Sequence, residues 1–129
     1  DSIDKALEWI DKGLREKNPI SVCIVENAAT VAEALLKKKR IPDIVTDQTP
    51  AHDLMEYMPE GKSYSWNLWL RDKDPEEYLE LSKATVVKHA RALMKLKKQG
   101  AIVFDYGNQL REQAEYCGLP IRKRNGTLE

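Results

Sequence analysis

The chain has no net charge, no long apolar run and few cysteines, and each lack closes a class of function. Its 129 residues carry 21 basic and 21 acidic side chains. With no excess of positive charge to offer a phosphate backbone, it is not expected to partner nucleic acid. The one basic run, Lys37-Lys38-Lys39-Arg40, falls where a helix should end and cations favour the macrodipole, so it reads as a solvated last turn. No apolar stretch approaches the roughly 20 residues of a membrane helix, and no signal peptide is visible. A cytoplasmic setting without a membrane partner is expected. The two cysteines, Cys23 and Cys117, have neither metal-ligand spacing nor the makings of a disulfide framework. Cys23 is expected as a small buried side chain in a strand, Cys117 as filler at a helix end before Gly118, and no metal site is expected. A Gly-x-Gly-x-x-Gly fingerprint is also missing, so the chain is not a self-sufficient dinucleotide-binding domain.

What is present is alternation. Ile3, Ala6, Leu7, Ile10 and Leu14 share one face of a helix over 2–16, which Lys17-Asn18-Pro19 ends. The β-rich run 20–25 predicts a strand covered on both faces. Asn27 is placed to cap a helix over 28–39, and Asp43–Thr46 predicts a second short strand. An aromatic-rich excursion over 47–73 should hold a short helix and a loop, with Trp66 and Trp69 packed inward. Asp74-Pro75-Glu76-Glu77 opens a helix running to about Gln99, and Gly100 stops it. A third strand, Ala101–Phe104, and a helix over 109–116 follow. Helix and strand in turn argue for an α/β fold with a short parallel sheet and helices on both faces. His89, mid-helix among lysines, is expected at the surface.

All three expected strands deliver polar groups from one sheet edge, where open α/β sheets bind ligands. Glu26-Asn27-Ala28-Ala29 is either a plain helix cap or a backbone approach for a ligand. Asp47, Gln48, Thr49 and His52 form either a polar turn or a set of donors and acceptors for a ligand. Asp105-Tyr106-Gly107-Asn108 is either a capping turn or a phenol beside a glycine that permits close approach. The convergence of the three carries the signal.

The string Ile44-Val45-Thr46-Asp47-Gln48-Thr49-x-Ala51-His52-Asp53, followed by Tyr57-Met58-Pro59, resembles the signature of urocanate hydratase (urocanase). Phe104-Asp105-Tyr106-Gly107-Asn108 is similar to a second signature of that family, and Asn27-Ala28-Ala29 after an apolar run to a third. The likeness runs from the first helix to about Gly118. It implies a Rossmann-like three-layer domain that binds NAD⁺, from a hydro-lyase that converts urocanate and water to imidazolonepropionate in histidine degradation, with NAD⁺ as an electrophile. Its cofactor contacts carry over onto Asn27, Ala28, Gln48, Thr49, Ala51, His52, Tyr57, Met58 and Tyr106, with Pro50 in the same loop. The implied partners are urocanate and a catalytic core of the same chain, in a homodimeric parent.

No catalytic residue is expected here, because the family's active-site cysteine lies in that core and neither Cys23 nor Cys117 matches its motif. Glu26 stands where the family usually has glycine, and Pro50 replaces a usual serine. The expected organisation is a domain over 1–120, excised from a larger enzyme, with a charged and partly vector-derived tail over 121–129. Taken alone, it should be inactive and bind NAD⁺ weakly at best. Two alternatives stay open: a non-catalytic α/β interaction or regulatory domain, and a divergent relative that binds another nucleotide.

Overall fold

The computed structural model describes residues 2–122. Seven elements follow one another: α1 (Ile3–Glu16), α2 (Ala28–Lys37), β1 (Ile44–Asp47), α3 (Tyr64–Lys73), α4 (Pro75–Lys98), β2 (Ile102–Asp105) and α5 (Leu110–Tyr116). β1 and β2 pair in parallel, from Ile44 opposite Ile102 to Asp47 opposite Asp105. Parallel neighbours need a long crossover, which α3 and α4 supply. The α/β class with a short parallel sheet therefore holds.

Local chemistry sets the helix starts. Ser2 accepts from Lys5 N at α1, Asn27 from Ala29 N at α2, Ser63 from Trp66 N at α3 and Asp74 from Glu77 N at α4. Each supplies an acceptor to an amide that has no carbonyl within its own helix. Pro75 sits in the first turn of α4, where its missing N–H costs nothing. α4 is the spine of the fold and packs against α2, α3, α5 and β2. Its Val86, Ala90, Leu93 and Leu96 are buried with Ala32, Leu110 and Ala114.

The expected strand over 20–25 does not form. The segment carries no regular secondary structure, and the sheet contains β1 and β2 alone among the described residues. Val22 and Ile24 turn toward α1 and α2, while Cys23 and Val25 are exposed, Val25 fully. β-branched side chains favour an extended backbone, but without a ladder neighbour there is no strand. Cys23 is accordingly a surface thiol rather than a buried one. The three expected strand ends become two, with the first polar cluster carried on a loop.

Three smaller corrections follow. Trp69 is half exposed, and Trp66 lies against it with ring centroids 6.4 Å apart and Lys62 over its face, so this pair is not core. Ile121 is 1% exposed and belongs to the core, so a tail drawn from residue 121 starts too early. The rest of that tail, 123–129, lies outside the described residues. The basic run is solvated as expected, yet Lys38 and Arg40 also reach Asp4 and Asp11 of α1, which ties α1 to the end of α2. Arg40 holds the Asp11 carboxyl below its ordinary range.

Gly13 makes a prediction. A methyl group there would meet Asn18 O and Ile20 Cγ1, both at 3.0 Å. Alanine normally gains about 1 kcal/mol over glycine inside a helix. Here Gly13→Ala is expected to destabilise by roughly 1 kcal/mol, because crowding a backbone carbonyl outweighs that gain. A thermal melt showing a raised midpoint would refute it.

Candidate functional site

The site is built outward from the end of β1. Asp47 is buried, and its carboxylate accepts from Thr49 N (3.3 Å), Thr49 Oγ1 (2.9 Å) and Asn108 Nδ2. The same Asn108 amide donates to Thr49 O at 2.9 Å. Asn108 reaches across because the chain turns sharply after β2 at Gly107, whose φ of 76° suits glycine. One buried anion therefore ties the two strand ends together.

The loop that follows is held by α4. Tyr78, Ser82, Thr85 and His89 recur every three or four residues and form a buried polar stripe beside the apolar one. Ser82 Oγ donates to Tyr57 O at 2.7 Å, and Tyr78 Oη to the same oxygen at 3.4 Å. Thr85 Oγ1 accepts from Glu60 N at 3.2 Å. His89 Nδ1 lies 2.9 Å from Tyr57 Oη, and its Nε2 lies 3.9 Å from Asp47 Oδ1. Lys88 bridges Glu33 of α2 and Glu60, and these carboxylates raise its pKa.

Protonation follows from this burial. Loss of water pushes the Tyr57 phenol up, and the nearby charges of Asp47 and Glu60 push it further. Burial also holds His89 below its ordinary value, with Asp47 pulling the other way. Tyr57 thus keeps its proton, and because the Asp47 carboxylate beside Nε2 favours the ring N–H there, the phenol donates to a bare Nδ1. The N–H of the neutral ring is left on Nε2, facing Asp47.

Between this loop and residues 25–28 lies an open cavity of about 520 Å³. Asn27 spans its edge: Oδ1 accepts from Ala29 N at 3.0 Å, and Nδ2 donates to Met58 O at 2.8 Å. Glu26 turns back onto the amide of Asn27 at 2.8 Å. Of the residues the sequence singled out, Asn27, Ala28, Thr49, Pro50, Tyr57 and Met58 line this cavity together. Gln48 and His52 are exposed on the same loop but do not line it. Ala51 is fully enclosed in the core, because a tight turn (Ala51 N to Thr49 O, 2.8 Å) directs it inward. Tyr106 stands 72% exposed past the end of β2, outside the cavity. Three polar clusters do converge, the third through Asn108 rather than through Tyr106.

Residues 1–124 match the family model described as the urocanase Rossmann-like domain. The chain belongs to the urocanase family.

Several residues in or behind the wall of this urocanase-family cavity escaped the sequence reading. His89, expected at the surface, is 3% exposed and lies behind the cavity wall, bonded to Tyr57. Its spacing of three from Val86 and four from Leu93 was the available signal, since it places His89 on the buried face of α4. Glu56, Lys62, Ser63, Tyr64 and Asn67 also line the cavity. They lie in or beside the aromatic-rich excursion, where no periodicity marks an inward face. Ser63 alone had a signal, as a capping serine.

Proposed function

We propose that this cavity holds part of an NAD⁺ molecule and that the chain is the cofactor-binding domain of a urocanate hydratase. The observation that carries the reading is that six of the ten residues implicated by the family resemblance surround one cavity, although they come from three separate segments. At about 520 Å³ the cavity falls inside the roughly 300–1,000 Å³ typical of small-molecule sites. Its lining fits a ring and a sugar better than a bare phosphate. The Ala28 amide, the Ser63 and Tyr64 hydroxyls and Lys62 offer donors. Val25, Pro50, Met58 and Pro59 offer apolar faces, and Glu26 and Glu56 oppose negative charge. Asn27, Ala28, Thr49, Tyr57 and Met58 would hold the group here, with Gln48, His52 and Tyr106 reaching portions that extend beyond it. Bound NAD⁺ would supply an electrophilic ring in the hydration of urocanate to imidazolonepropionate.

This chain's own residues bind and orient. Asn27 fixes the loop at Met58, and Asp47 fixes it at Thr49, so the walls are set before a ligand arrives. Substrate binding and proton transfer belong to a catalytic core in the parent. The 129-residue chain is expected to lack hydratase activity and to bind NAD⁺ with a Kd weaker than about 100 μM, a loss expected when other walls are missing. Isothermal titration with NAD⁺ and with NADH checks this. Saturable weak binding is the expected result, and no heat even at millimolar NAD⁺ would remove the cofactor reading.

A further inference from the structure

We propose that His89 is a positioning residue that sets the relation between two walls of the cavity, the Tyr57–Met58 wall and the Asp47–Thr49 wall. Part of its expected effect, the change in cofactor affinity, rests on reading the cavity as an NAD⁺ site.

His89 is the side chain that faces both walls. Its Nδ1 is 2.9 Å from the hydroxyl of Tyr57, whose ring lines the cavity. Its Nε2 is 3.9 Å from the Asp47 carboxylate, which in turn holds the amide and hydroxyl of Thr49, another lining residue. The two walls come from one loop, but their backbones are pinned separately. Ser82 and Asn27 hold the Tyr57–Met58 side, and Asp47 and Asn108 hold the Thr49 side. α4 is the longest helix described and is fixed by α2, α3 and α5. An imidazole anchored on that helix therefore works as a rigid gauge, and its flat ring presents opposite edges to the two partners. No ligand contact by His89 itself is required.

The gauge has two ends, and two substitutions separate them. Asparagine places an amide oxygen near the position of Nδ1, keeping an acceptor for Tyr57 while withdrawing from Asp47. Glutamine places its amide nitrogen near Nε2, keeping a donor toward Asp47 while leaving Tyr57 without its acceptor. The readouts are the side-chain amide resonances of Asn27 and Asn108, each of which reports one wall. In His89→Asn the Asn108 resonance is expected to move and that of Asn27 to stay. In His89→Gln the pattern should reverse. Each variant should also weaken NAD⁺ binding roughly three- to tenfold, the scale of one misplaced hydrogen bond.

A core residue that only fills space would move both resonances together in both variants, and that outcome overturns the proposal, as does no movement in either. If the unaltered chain takes up no NAD⁺, the cofactor reading falls, while the resonances still decide the positioning role. Should a His89 variant fail to fold, Tyr57→Phe removes the same hydrogen bond from the other side. It must move the Asn27 resonance for the proposal to survive.

Discussion

Asp47→Asn is expected to destabilise the chain by about 2–4 kcal/mol, seen as a lower urea midpoint with little change in slope. The substitution is nearly isosteric, so packing survives and hydrogen bonding alone changes. Asp47 accepts from a backbone amide, a hydroxyl and the Asn108 amide, and it faces the Nε2 edge of His89. A carboxylate can accept on both oxygens, whereas an asparagine side chain must turn an NH₂ toward one set of donors. At least one buried donor is then left without an acceptor, and the charge that favours all of them is gone. Asn108 adds to the cost. Its amide nitrogen also serves Thr49 O, so turning its Oδ1, unpartnered among the described residues, toward the substituted side chain would strip that carbonyl of its donor. The effect should exceed that of Asp105→Asn, because Asp105 is paired with the partly exposed Arg111 at the neighbouring strand end. If Asp47→Asn cost no more than Asp105→Asn, the buried network would not be what joins the strand ends.

Much of this arrangement was legible because the chain states its local rules plainly. Capping residues stand at the starts of α1, α2 and α4, a proline opens α4, and glycines follow α4 and α5. Each of those signals acts within a few residues, so sequence spacing alone reveals it. The strand ends could be read for the same reason. The segment over 20–25 could not, because a strand is completed by hydrogen bonds from a neighbour, and composition does not record whether that neighbour exists. His89 failed differently. Lysines flank it along the chain, but a helix places residues three and four apart on one face, and its true companions are Thr85, Val86 and Leu93. The buried face of α4 is polar along Ser82, Thr85 and His89. A reading that equates inward with apolar passes over the side chains that hold the loop. Asn108 was missed because its role depends on Asp47, 61 positions away in sequence.

The burial of His89 also predicts how the chain responds to acid. A histidine whose folded-state pKa lies below its unfolded value of about 6.5 resists protonation while folded and accepts it when unfolded. Across that interval the unfolded state binds more protons, so stability falls as pH drops below about 6.5 and levels off below the folded value. A single proton gives a limiting slope of about 1.4 kcal/mol per pH unit. The groups facing the ring are Asp47 from β1 and Tyr57 from the loop. Asp47 favours the charged ring, but burial outweighs it, and the Tyr57 hydroxyl would have to reverse its hydrogen bond once Nδ1 carried a proton. Neighbouring Lys88 is engaged by Glu33 and Glu60 and stays charged throughout. The other acid-sensitive contact named above, Asp11 with Arg40, has a lowered carboxyl pKa, so its contribution is lost only below about pH 4 and in a separate window. Urea unfolding between about pH 7.5 and 5.5 should therefore show a one-proton loss of stability in the unaltered chain and a flat profile in His89→Gln. A slope that persists unchanged in that variant would assign the acid sensitivity to another group and take away the neutral imidazole on which the Tyr57 hydrogen bond depends.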